Sequence, residues 1–102
     1  MAEFVKVAKV GEIAPGGCKL VEAGGRNIAL FHVNGAYYAT DDACTHQGGP
    51  LSEGYVSGKE VTCPWHAAVF DVTTGEVLAP PAAHDVARYA VRVTGEDVEV
   101  EV

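Results

Sequence analysis

Short apolar, β-branched and aromatic runs alternate with breaks rich in glycine, asparagine and acidic residues, and no segment sustains a 3.6-residue helical period. The runs fall at 4–7, 18–21, 27–33, 36–40, 60–63, 69–72, 87–93 and 98–102, each of strand length and bounded by turn residues. That spacing predicts an all-β barrel or sandwich. In Asp97-Val98-Glu99-Val100-Glu101-Val102 the valines share one face and the acids the other, so this strand should be half buried. Asn34-Gly35, which tolerates positive φ at both positions, predicts a two-residue hairpin. Thr74-Gly75 and Gly95-Glu96 are weaker turn signals.

The stretch 41–58 breaks the pattern, being long, turn-rich and poor in strand alternation. A long loop of that kind in a small domain usually carries function. The chain has 102 residues, 48% hydrophobic and 21% charged, which suits one globular domain with a modest core of its own. Fourteen acidic residues against seven scattered basic ones give a formal charge of -7, which argues against a phosphate-neutralising nucleic-acid surface; it would attract a partner with a basic patch, though taken alone it reads first as solubility. No run approaches a membrane span and the N-terminus lacks a signal-peptide layout, so the chain reads as cytoplasmic.

Three cysteines are too few for a disulfide framework, and two of them stand beside histidines. Cys44-Thr45-His46 is followed after sixteen residues by Cys63-Pro64-Trp65-His66. Residues at i and i+2 of an extended segment project to one side with Cα atoms roughly 6–7 Å apart, so Cys44 and His46 can address one site. The Cys63 to His66 spacing suits a tight turn. Thiolate with imidazole fits zinc or an iron-sulfur centre, not calcium or magnesium. Structural zinc motifs mostly pair cysteines two to four residues apart, so the Cys-x-His half favours iron. A cysteine nucleophile fits less well, because the pair is duplicated and has no orienting acid or oxyanion motif.

Together the two halves resemble the Rieske pattern C-x-H...C-x-x-H. Gly48-Gly49-Pro50-Leu51, Phe70-Asp71, Thr74-Gly75 and Pro80-Pro81 also match, and the family fold spans about the length of this chain. The resemblance implies three small antiparallel sheets in a single domain, 1–102, with a two-loop cluster-binding subdomain at about 41–82. It also implies one 2Fe-2S cluster, with Cys44 and Cys63 on the inner iron and His46 and His66 on the outer one, whose histidine edges pass the electron. Gln47, Gly48, Trp65, Ala67 and Ala68 would line it. High-potential members resemble C-T-H-x-G-C and C-P-C-H-G-S-x-Y. Here Gly49 and Trp65 replace the disulfide cysteines, and Ala68 and Phe70 replace the serine and tyrosine donors. That predicts the low end of the range, about -150 mV. The ferredoxin branch reads C-P-W-H-G, so Ala67 stands where glycine is usual; a positive φ there would cost of order 1 kcal/mol.

By the same resemblance the chain is an electron carrier and not an enzyme. It would dock transiently, as a monomer, with a flavin-dependent NAD(P)H reductase and a terminal aromatic-ring oxygenase. Alternatives are a small subunit of an assimilatory nitrite reductase or other redox enzyme, and a zinc-stabilised interaction module. Among the remaining residues, Cys18 reads as a small core hydrophobe, and His32 and His84 as non-ligands. Trp65 reads as a shield beside the cluster, Tyr37 and Tyr38 as packing, and Asp41-Asp42 as loop solvation.

Overall fold

A computed structural model describes residues 3–45, 48–65, 67–80, 82 and 84–102. The alternating runs form strands β1 (Phe4–Lys9), β2 (Cys18–Ala23), β3 (Arg26–Val33), β4 (Ala36–Asp41), β5 (Tyr55–Ser57), β6 (Glu60–Thr62), β7 (Val69–Asp71), β8 (Val77–Ala79), β9 (Arg88–Tyr89), β10 (Val91–Thr94) and β11 (Asp97–Glu101). They build three antiparallel sheets, ordered β1-β11-β10, β2-β3-β4-β9 and β5-β6-β7-β8. The all-β, three-sheet expectation holds.

β3 organises the molecule because both its faces are buried, the state that a near-continuous apolar strand favours. Ile28 and Leu30 pack with Val21, Ala39, Val98 and Val100, joining the first sheet to the second. Ala29, Phe31 and Val33 point the other way and pack with Leu51, Val61, Phe70 and Val72 of the third sheet and its approaches. Val98 and Val100 are fully buried, as the end-strand alternation requires. Asn34-Gly35 closes β3 onto β4 with φ of 50° and 81°, the predicted hairpin, with Val33 opposite Ala36.

Three features depart from the sequence pattern. The run at 87–93 is two strands: β9 pairs with β4, and after Ala90 β10 pairs with β11. The stretch 41–58 contains a 3-10 turn, Leu51–Glu53, and β5. β8 adds an edge to the third sheet, with its register shifted between Val69 and Phe70.

Candidate metal centre

Two loops of like construction carry the cysteines. After β4, Ala43 bridges Pro50, the Cys44 amide donates to the Gly49 carbonyl at 2.9 Å, and the Gly48 amide donates back to Cys44 at 2.8 Å. Between β6 and β7 the Cys63 amide donates to the Ala68 carbonyl at 2.7 Å. Each loop therefore closes on the carbonyl five residues after its cysteine. Each also has a left-handed residue just before that carbonyl, Gly48 at φ 75° and Ala67 at φ 61°.

The loops converge. Cys44 and Cys63 are both buried in the core that holds Phe31 and Phe70, and the Cys44 side chain lies beside the Cys63 thiol. Burial pushes the Cys63 thiol up; the Trp65 amide, donating to its sulfur at 3.4 Å, pulls it down, and the Cys44 thiol pushes it up again. A metal ion reverses that balance by holding the sulfur as thiolate. Two water-excluded soft donors from separate loops, one already receiving an amide, fit iron or zinc.

A third segment braces the loops. The Thr45 hydroxyl donates to the His84 carbonyl at 2.7 Å, Asp85 accepts the Val77 amide at 2.9 Å, and the Val86 amide donates to the Gly75 carbonyl at 2.9 Å. Beneath the first loop, buried Asp42 accepts the Ser52 amide at 2.8 Å. Its neighbour Asp41 accepts the Tyr89 hydroxyl, which in turn accepts from Arg26. Both acids are therefore structural anchors, which corrects the loop-solvation reading. Half-buried Cys18 is more than a hydrophobe, since its thiol donates to the Ser52 carbonyl at 3.0 Å. His32 donates from Nδ1 to the Ile13 carbonyl at 2.8 Å and stacks on Tyr37.

Of the site residues predicted from sequence, the structure brings Cys44, Cys63, Gly48, Trp65, Ala67 and Ala68 into these two loops. Ala68 is fully buried and Trp65 is 49% exposed. His46, Gln47 and His66 lie outside the described residues. Sequence reasoning did not anticipate the bond from Thr45 to His84 or the packing role of Gly49. The sequence signals for Gly49 were a glycine pair in a loop and its match, with Trp65, to the disulfide cysteines of high-potential members.

Comparison with known proteins places this geometry in a family context. Residues 3–90 match the Rieske 2Fe-2S domain. The chain is 39% identical over 99 residues to the biphenyl dioxygenase ferredoxin subunit of Pseudomonas sp. (strain KKS102), covering 96% of this chain and 91% of the relative. The ferredoxin of carbazole 1,9a-dioxygenase from Nocardioides aromaticivorans IC177 superposes with a TM-score of 0.91 at 29% identity, covering 95% of both chains. A chain in the complex of reduced oxygenase and oxidized ferredoxin of carbazole 1,9a-dioxygenase gives 0.90 at 33% identity, covering 95% of this chain and 91% of that one.

Proposed function

This chain belongs to the Rieske 2Fe-2S domain family, and from that premise we propose that it is the ferredoxin of a ring-hydroxylating dioxygenase system, carrying one electron to a terminal oxygenase. The observation that carries this reading is the convergence of buried Cys44 and Cys63 from two like-built loops. When bound, the 2Fe-2S cluster supplies a one-electron acceptor and donor. Cys44 and Cys63 would hold one iron of it and His46 and His66 the other. Gln47, Gly48, Trp65, Ala67 and Ala68 line it. This ligand set extends the family resemblance to these positions.

The protein's own residues exclude water from the sulfurs and aim the Trp65 amide at Cys63. Ala68 and Phe70, both fully buried, offer no side-chain donor, which supports a potential near the low end of the Rieske range, about -150 mV. A radius of gyration of 12.5 Å supports one domain, 1–102, since a domain of about 100 residues has a radius near 13 Å; within it the cluster-binding subdomain is taken as about 41–82. An acidic monomer in the cytoplasm, reduced by a flavin-dependent NAD(P)H reductase, completes the proposal. Among the described residues no helix is long and apolar enough to cross a membrane.

Visible absorption and EPR of the dithionite-reduced protein test it. We expect the lower average g value of a histidine-ligated 2Fe-2S centre, and reduction by such a reductase with no organic substrate oxidised by the chain alone. A colourless protein with stoichiometric zinc, or intrinsic oxygenase turnover, would overturn the reading.

A further inference from the structure

Gly48 and Gly49 adjoin in the first loop but answer different demands. Gly48 has φ 75° and nothing within 4 Å of where a Cβ would stand, so backbone conformation selects it. Gly49 has no positive φ, yet a Cβ there would lie 2.6 Å from Cys63 Sγ, 3.0 Å from Trp65 Cγ and 3.1 Å from Trp65 Cβ. A carbon and a sulfur cannot approach to 2.6 Å, so space selects glycine at 49.

We propose that Gly49 is a positioning residue of the metal centre, its missing side chain being the space into which the Cys63 sulfur and the root of Trp65 fit. The inference rests on the ligand assignment above. Neither obstacle gives way freely. Cys63 is 2% exposed and its amide is tied to Ala68 at 2.7 Å. Trp65 is held through the amide that donates to the same sulfur. A methyl group at 49 therefore has to separate the two loops or displace the sulfur, and either movement lengthens the Trp65 amide-to-sulfur bond. That bond favours the reduced, more negative state of a cluster held by Cys63, so its loss disfavours reduction. The loss of one ordinary hydrogen bond corresponds to roughly a fivefold fall in the ratio of reduced to oxidised protein at the wild-type midpoint.

The test compares the holoproteins of wild type, Gly49→Ala and Gly95→Ala. Gly95, in the β10 to β11 hairpin, has φ 62° and open space around it, so Gly95→Ala introduces backbone strain away from the centre. We expect Gly49→Ala to shift the EPR line positions, lower the midpoint potential and speed cluster loss to a chelator, while Gly95→Ala lowers thermal stability with wild-type EPR and potential. A Gly49→Ala protein with wild-type EPR and potential would overturn the proposal, whatever its stability. If Gly49→Ala does not load, Gly49→Ala/Trp65→Ala is compared with Trp65→Ala alone. A shift between those two supports the crowding of the sulfur, and identity of their spectra refutes it. A wild-type protein without a Rieske spectrum would instead sink the ligand assignment.

Discussion

Ala67 occupies φ 61°, a conformation that costs an L-residue with a Cβ about 1–2 kcal/mol relative to glycine. Its counterpart in the first loop is Gly48, which likewise sits four residues after its cysteine and immediately before the carbonyl that closes the loop. The shared turn geometry thus sets the backbone at both positions, and only the second loop meets it with a side chain. The strain persists because the Cys63 to Ala68 hydrogen bond and the pairing of Val69 with Thr62 fix the chain on the far side. Replacing Ala67 by glycine removes that strain but adds flexibility to the unfolded chain. The balance predicts that Ala67→Gly stabilises the holoprotein by about 0.5–1 kcal/mol. Thermal unfolding should show a Tm higher by a few degrees; an unchanged or lower Tm would refute strain at this residue.

The turn from β7 to β8 is organised by Asp71, and its strength sets how the third sheet meets the bracing segment. The carboxylate accepts the Thr73 amide at 2.9 Å and hydroxyl at 2.6 Å and pairs with Lys59 at 3.3 Å. The Asp71 carbonyl receives the Gly75 amide at 2.7 Å. Burial pushes the Asp71 carboxyl up, but the Thr73 bonds and Lys59 outweigh it and hold it below the usual carboxylate range. A depressed folded value means the contribution is present above the unfolded value near pH 4 and is lost as pH falls through the folded value. Asp71→Asn should therefore cost about 1–3 kcal/mol at neutral pH. Denaturant unfolding at neutral and acid pH checks this: the gap between wild type and variant should narrow on acidification, and a gap independent of pH would show that charge is not involved. The same region shows where the sequence was legible and where it was not. The alternating run of β11 shows its buried face directly, because period-2 patterning is a property of the run itself, and the near-continuous apolar run of β3 marks a strand buried on both faces. β5 and β8 are three-residue strands among glycine and proline, too short to display a period, and exist because β6 and β7 offer them edges. The split at Ala90 was hidden because nothing there breaks a strand; its carbonyl accepts the Glu101 amide at 2.9 Å, fixing the passage from one sheet to another. At the site, cysteine and histidine spacing was legible because ligand chemistry restricts it. The match of Gly49 and Trp65 to an inter-loop disulfide pair hinted that the loops meet there, but the closeness of Gly49 to the Cys63 sulfur appears only once both are folded.

Across the whole molecule the charge is one-sided in a way the ion pairs do not relieve. Lys6, Lys19, Lys59 and Arg92 pair with Asp97, Glu12, Asp71 and Glu99, while Arg26 and Arg88 bond to Tyr89 and Thr73. The basic residues are thus largely engaged with neighbours, and the acidic excess behind the formal charge of -7 sets the field felt by an approaching protein. Apart from the Lys59 pair with buried Asp71, these surface pairs add little stability, so their consequence is electrostatic more than structural. A carrier that must dock, pass one electron and leave gains from an attraction that speeds encounter without requiring a large, slowly dissociating interface. The second-order rate of electron transfer to the terminal oxygenase should therefore fall steadily as ionic strength rises from about 0.01 M to about 1 M, over which the screening length contracts from about 30 Å to about 3 Å. Stopped-flow mixing of the reduced carrier with oxidised oxygenase measures it. A rate that rises with salt would mean that like charges oppose at the docking face, and a flat profile would mean that contacts at the loop tips alone, without the surrounding acidic field, guide the encounter.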